Sequence, residues 1–255
     1  MKIATWNVNS LRVRLPHVLQ WLAAAQPDIL AVQETKTVDA QFPLAELQAA
    51  GYNAVFAGQK TYNGVAILSK AVATEVVTDI PTLDDPQRRI LAATIDGVRV
   101  VNLYVVNGAE VGSDKYAYKL DWLAKVTAWL HHEAARYPRL VVLGDFNIAP
   151  EDRDVHDPAA WAGQVLCSEA ERAALQAIQA LGLQDTFRLF EQVEKSFSWW
   201  DYRAGGFRRN HGLRIDLILA SAALVQTCQR CVIDREPRTW EKPSDHTPVI
   251  AEFAG

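Results

Sequence analysis

Leu140-Val141-Val142-Leu143-Gly144-Asp145-Phe146-Asn147 is the stretch whose reading decides the fold. Four apolar residues in succession suit a strand covered on both faces, and Gly144 lets the backbone come close to whatever the next carboxylate faces. Side chains two apart in an extended segment share a face, so Asp145 and Asn147 can address one small object, such as a metal-bound phosphate. Taken alone, G-D-x-N also reads as an Asx turn that closes the strand. The rest of the chain has to decide.

Outward from that strand, the pattern mixes strands and helices in both halves. Ile3 to Trp6 reads as a strand ending at Asn7-Val8-Asn9-Ser10. Leu15, Val18, Leu19 and Leu22 then mark an amphipathic helix that Pro27 stops. Ile29 to Gln33 is a second buried strand and ends on Glu34. A short helix at Pro43–Ala50 is followed by strands at Tyr52–Ala57, Val65–Leu68, Val72–Thr78, Ile90–Ile95 and Val98–Tyr104. Their spacing predicts mainly antiparallel hairpins, with Asp96-Gly97 a turn signal. Leu120, Leu123, Val126 and Leu130 recur at helical spacing within Asp114–Ala135. Past the anchor strand, Ser168-Glu169-Ala170-Glu171 is a capping box that opens a helix ending near Gly182. Strands are expected at Ser196–Tyr202, Ile215–Leu219, Val225–Ile233 and Val249–Phe253.

Composition bounds the function classes. At 255 residues and 28.4 kDa, with no Pro/Gly/Ser-rich linker, the chain reads as a single domain over residues 1–255. Apolar content of 49% and charged content of 22% fit a globular protein with a sizeable core. Met1 to Trp6 leads directly into a strand, and no uninterrupted apolar run reaches membrane-spanning length, so a cytoplasmic protein with no membrane partner is expected. Three cysteines, Cys167, Cys228 and Cys231, leave one unpaired and fit a reducing compartment. Without a second pair, Cys228-Gln229-Arg230-Cys231 reads as strand positions rather than a zinc site.

A net charge of −4 does not advertise a nucleic-acid binder, yet charge is unevenly distributed. Arg203, Arg208, Arg209, Arg214, Arg230, Arg235, Arg238 and Lys242 outnumber Asp216, Asp234, Glu236 and Glu241 by four. Trp199, Trp200, Tyr202, Phe207 and Trp240 are interleaved with or flank them. The region reads either as a phosphate-tracking surface with stacking groups or as a solvated face over core aromatics.

Polar residues just beyond apolar strands form one chemical kit: Asn7, Glu34, Tyr104, Asn107, Asp145, Asn147, Asp216, Asp245 and His246. Ser244-Asp245-His246 sets a carboxylate beside an imidazole, a pairing suited to phosphoryl or acyl transfer. No G-x-S-x-G elbow is present and no cysteine occupies a nucleophile motif, which disfavours covalent catalysis. Hard oxygen ligands dominate, which selects Mg²⁺, with Mn²⁺ as a substitute, over zinc.

These residues carry a resemblance. Trp6-Asn7-Val8-Asn9-Ser10-Leu11-Arg12, Leu30-Ala31-Val32-Gln33-Glu34-Thr35-Lys36, Gly144-Asp145-Phe146-Asn147, Leu213-Arg214-Ile215-Asp216 and Ser244-Asp245-His246 resemble, in order, the exonuclease III family of apurinic/apyrimidinic endonucleases, within the wider endonuclease/exonuclease/phosphatase superfamily. The resemblance implies an α/β fold, a four-layered α/β sandwich of two packed mixed β-sheets flanked by helices. It implies a Mg²⁺-dependent DNA-repair phosphodiesterase that cleaves 5′ to abasic sites, or removes blocked 3′ ends and nucleotides as a 3′–5′ exonuclease or 3′-phosphatase. The partner implied is double-stranded DNA with an abasic site, nick or blocked 3′ end, with no obligate protein partner. A phosphatase for a non-DNA ester and a non-catalytic DNA-binding scaffold are the alternatives.

Carried over residue by residue, the resemblance makes Glu34 the principal metal ligand, with Asn7 nearby, Asp245 able to contribute, and Asp145, Asn147 and His246 also on the metal's side of the site. Asp145 would activate the attacking water and Asn147 would hold that water or a phosphate oxygen. Tyr104 and Asn107 would contact the scissile phosphate, and His246, oriented by Asp216, would bind a non-bridging oxygen. Trp199, Leu213 and Ile215 would line a pocket for a baseless sugar. Loops at 109–118 and 158–167 would face the DNA. One departure stands out: Tyr104-Val105-Val106-Asn107 has Val where many relatives place Pro, so a less rigid loop is expected.

Overall fold

Fourteen strands and seven α-helices make up a computed structural model that describes residues 1–254. In chain order they are β1 (Lys2–Asn7), α1 (Leu11–Ala25), β2 (Ile29–Gln33), α2 (Leu44–Ala49), β3 (Asn53–Ala57), β4 (Val65–Ser69), β5 (Thr74–Val77), β6 (Ile90–Ile95) and β7 (Val98–Tyr104). Then come α3 (Asp114–Arg136), β8 (Leu140–Asp145), α4 (Pro158–Trp161), α5 (Glu169–Gln179), β9 (Leu183–Asp185), β10 (Trp199–Trp200), α6 (Gly206–Arg209) and β11 (Gly212–Leu213). The chain ends with β12 (Asp216–Ser221), α7 (Ala222–Val225), β13 (Cys228–Ile233) and β14 (Val249–Phe253). Two six-stranded sheets run in the orders β13-β14-β1-β2-β4-β3 and β5-β6-β7-β8-β12-β9.

Alternation along the strands builds the layers. Ile3, Ile29, Ala31 and Ile67 of one sheet pack against Val98, Val100, Val141, Leu143 and Ile218 of the other. The intervening residues point outward: Ala4, Trp6, Leu30 and Val32 meet Val18, Trp21 and Leu22 of α1, while Val101, Leu103 and Val142 meet Trp122, Leu123 and Val126 of α3. The result is the expected α/β/β/α sandwich.

The same alternation places the polar strand ends. Asn7, Tyr104, Asp145 and Asp216 share the inward phase of Ile3, Val100, Val141 and Ile218, but lie at the ends of their strands. Tyr104, Asp145 and Asp216 occupy one rung across β7, β8 and β12, since Asp145 pairs with Tyr104 on one side and Asp216 on the other. In the facing sheet β1 runs parallel to β2 with Asn7 beside Gln33, so Glu34 emerges at the same rim.

Several expectations need correcting. Gly144 is required, but not by a ligand: its φ is +141° and a Cβ there would lie 1.9 Å from the Leu103 carbonyl oxygen in β7. The strand expected at Ser196–Tyr202 shrinks to the two residues of β10, which pair with β11 in a separate ribbon and bridge to His246 through Trp199. The strand expected to open at Val225 starts only at Cys228, because Val225 closes the helical turn α7, and β13 carries a bulge between Cys228 and Arg230. On α3 the buried face is Tyr116, Lys119, Trp122, Leu123, Val126, Leu130 and Glu133, so a lysine takes the place assigned to Leu120. The basic region is only partly a surface, because Arg214 and Arg238 are buried, the first against Asp154 and Asp185, the second over Tyr202 and Phe207.

Candidate active site

At the shared rim, Asn7 bridges the two sheets: its Nδ2 donates to Glu34 Oε1 at 2.8 Å and to Asp145 Oδ2 at 2.8 Å. Its Oδ1 accepts from the Asn9 amide at 3.0 Å, so Asn7 presents its amino group, rather than the oxygen expected of a ligand, to the carboxylates. Glu34, Asp145 and His246 each offer a ligand-type atom, all within 4.8 Å of one another. Asp245 lies outside that group. Its Oδ2 accepts from Trp199 Nε1 at 3.0 Å and its Oδ1 from Asn9 Nδ2 at 3.1 Å.

His246 is fixed from both ends. Ser244 Oγ donates to the Asn7 carbonyl at 2.7 Å and accepts from the His246 amide at 3.2 Å, tying the last loop to β1. The ring Nδ1 lies 2.9 Å from Asp216 Oδ2, and Nε2 lies 3.7 Å from Asp145 Oδ2. Burial lowers the imidazole pKa, but the Asp216 and Asp145 carboxylates outweigh it and raise the value to about 10. With Nδ1 engaged by Asp216, Nε2 is the nitrogen turned toward Asp145.

Asp145, itself buried, is pushed up to about 7 by desolvation, with Asp216 and Glu34 adding to the rise and His246 opposing it. A carboxylate with an affinity for protons near neutrality suits a base. Burial also acts to raise Glu34, but Lys36, whose Nζ lies 2.8 Å from Oε2, and Asn7 more than compensate and leave it below the ordinary value. Tyr104 is raised well above the usual phenol range by burial and by Glu34 and Asp145, so its hydroxyl stays protonated as a donor. Arg89 supports it with a guanidinium 4.6 Å from the ring centroid and an Nη1 donating to its carbonyl at 3.2 Å.

Asn147 sits beside Asp145 in a left-handed conformation, φ 49°. Its amide donates to Asp145 Oδ1 at 2.9 Å, its Nδ2 donates to the Val105 carbonyl at 3.0 Å, and its Oδ1 accepts from Asn107 Nδ2 at 3.2 Å. That amide bond to Asp145 Oδ1 is the Asx turn, so the structural and site readings of G-D-x-N coexist. Beyond the rim, Trp199 is half-buried in an apolar cluster, whereas Leu213 and Ile215 are 0% and 1% exposed, so of the three pocket residues only Trp199 offers surface to a ligand. Val105 and Val106 are both buried, and Val105 N donates to the Asp145 carbonyl at 2.9 Å, so packing replaces proline in holding this loop.

Sequence reasoning assigned no role to Lys36, Arg89 or Lys119. Lys36 is legible two residues after Glu34, and Lys119 as a charge in the apolar stripe of α3. Arg89 carries no local signal, because it reaches Tyr104 only through the β6–β7 pairing.

Comparisons with known proteins agree with this geometry. The model of the Endonuclease/Exonuclease/phosphatase family matches residues 4–246. Exodeoxyribonuclease III of Haemophilus influenzae is 36% identical over 267 residues, spanning 99% of this chain and 100% of that protein. A 3′ phosphatase from Neisseria, solved with a product DNA hairpin, is 49% identical with a TM-score of 0.98. An AP endonuclease from Archaeoglobus fulgidus is 40% identical with a TM-score of 0.96; each structure covers 100% of both chains. No helix among the described residues is long and apolar enough to cross a membrane. The family is metal-dependent, and Glu34, Asp145 and His246 at this rim form a cluster that could hold a metal ion. The chain belongs to the endonuclease/exonuclease/phosphatase family and, within it, to the exonuclease III branch of DNA-repair phosphodiesterases.

Proposed function

We propose that the protein is a Mg²⁺-dependent hydrolase of phosphate esters at 3′ ends and breaks in duplex DNA, with incision 5′ to abasic sites as a secondary activity. The observation that carries the reading is the meeting of Glu34, Asp145 and His246 within 4.8 Å at the sandwich rim. The donor set fits Mg²⁺, because Glu34 and Asp145 offer hard carboxylate oxygens. Glu34 and Asp145 would hold the ion. Asp245 would join only by releasing Trp199 or Asn9. Bound there, Mg²⁺ supplies positive charge against the phosphate and the departing oxygen.

The chain's own groups do the rest. Asp145 takes the proton of the attacking water. Asn147 orients that water or a phosphate oxygen. His246, held by Asp216, donates Nε2–H to a non-bridging oxygen, and the Tyr104 hydroxyl and Asn107 amide donate to the same phosphate. The ranking of 3′ ends over internal abasic sites rests on Leu213 and Ile215, whose buried side chains leave no surface to cradle an extruded sugar.

The test offers two duplexes in Mg²⁺, one with a 3′-phosphate at a nick and one with an internal abasic analogue. Faster removal of the 3′-phosphate is expected. Faster incision at the abasic analogue reverses the ranking. Hydrolysis of neither duplex, with turnover of a small phosphate ester, replaces DNA with a soluble substrate. DNA binding that is indifferent to EDTA, without cleavage, leaves a scaffold.

A further inference from the structure

Lys119 lies on α3 with its side chain wholly buried, and its ammonium uses all three protons inside the protein. It donates to the Asn107 carbonyl at 3.1 Å and the Asn147 carbonyl at 2.7 Å, and pairs with Glu171 of α5. The two carbonyls belong to different segments, one following β7 and one following β8, and the side chains of the same two residues meet at 3.2 Å. Glu171 is anchored in turn: Leu166 N donates to Oε1 at 3.0 Å, and Ser168 donates to Oε2 from N at 3.2 Å and from Oγ at 2.6 Å. The stem leaves no slack, since a Cβ at Gly108 would lie 3.1 Å from Lys119 Cδ.

We propose that Lys119 is a positioning residue, setting the separation of Asn107 and Asn147 and so the aim of the amide groups that face the scissile phosphate. The inference rests on the reading of those two asparagines given above. Two features argue against a purely structural ion pair. A Lys–Glu pair needs one contact to be neutral, yet this lysine spends its other two donors on the backbones of two site residues. Asn147 also holds a left-handed backbone, and of the bonds to its polar atoms only that from Lys119 comes from outside the β7–β8 end. Packing of Val105 and Val106 holds the start of the Asn107 loop, and Lys119 adds a bond to the Asn107 carbonyl itself.

Lys119→Met alone strands the Glu171 carboxylate and can unfold the protein, so the deciding variant is Lys119→Met/Glu171→Gln, which removes both charges and keeps a capping-box acceptor for Ser168. We expect its thermal midpoint to stay within about 5 °C of wild type. At saturating Mg²⁺ its kcat should fall about 10- to 100-fold while KM for a 3′-phosphate duplex changes by less than about threefold. The Asn147 side-chain amide resonances should shift or broaden. A folded double variant with wild-type kcat and unmoved Asn147 resonances overturns the proposal. If the wild type fails on DNA altogether, the reading of the site fails by itself, and the Asn147 resonances still judge Lys119.

Discussion

Two sets of buried charge lie close together in the molecule and resolve themselves in opposite ways. Around Arg214, Asp154 accepts from Nε at 2.7 Å and also pairs with Arg188, while Asp185 lies 2.7 Å from Nη2. Two guanidinium groups meet two carboxylates, and the set closes. At the rim, three carboxylates, Glu34, Asp145 and Asp216, face two cations, Lys36 and His246. One negative charge is left over, and Asp145, desolvated by burial and faced by Asp216 and Glu34, holds its proton up to about pH 7. A closed set fixes the fold. An open one creates demand for a divalent cation and a group ready to exchange a proton.

The sharpest way to break this contrast is Asp145→Asn. Turnover should fall by about 10²- to 10⁴-fold with DNA affinity retained, measured by single-turnover cleavage beside a binding titration. Stability should hardly change, because the amide resembles the protonated carboxyl. Preserved cleavage removes Asp145 from the chemistry.

Asp154→Ala asks the complementary question of the closed set. It leaves Arg214 buried and short of a partner, so a loss of about 3–5 kcal/mol is expected in urea unfolding. A loss comparable to that of Asp145→Asn would abolish the distinction between the two sets.

Metal addition should separate them next. Mg²⁺ at about 100 times its dissociation constant should stabilise the wild type by about 2.7 kcal/mol, and EDTA should abolish cleavage. The increment should survive Asp154→Ala and largely vanish in Asp145→Asn. Equal increments in both variants would place the ion elsewhere.

The most gradual effect is on pH. Asp145 has a folded value of about 7 against an ordinary 3.8, so its contribution to metal-free stability is full below about 4 and is lost as pH rises through 7. For His246 the corresponding loss runs from 6.5 to about 10. Thermal midpoints measured without metal should therefore decline from acid toward alkaline pH, and Mg²⁺ binding near pH 6.5 should release protons to the buffer. A rising midpoint, or binding with no proton release, would contradict the open-set reading.

How much of this was legible beforehand differs by element. The anchor strand, the buried strand at Ile29–Gln33 and the long helix α3 follow from period and length, whereas the parallel pairing of β1 with β2 and of β7 with β8 does not. The ribbon of β10 and β11 was misjudged because aromatic residues at 196–202 mimic a strand, while the chain there mostly wraps the rim as loops and short turns. Arg214 and Arg238 looked like surface charge because sequence does not say which arginine will find buried partners.

By itself, the sequence determined the alternation of each strand and the polar residue at its end, since side-chain period is a property of the local backbone. It therefore fixed which groups face inward and what chemistry they carry. Only the tertiary structure decided that the ends of β1, β2, β7, β8 and β12 reach one rim, that Asn7 turns its nitrogen toward the carboxylates, and that Lys119 ties Asn107 to Asn147. Those outcomes depend on sheet order and on which buried charges meet, and both are settled by contacts between residues far apart in the chain, where the solvent is excluded and each polar atom must find its partner.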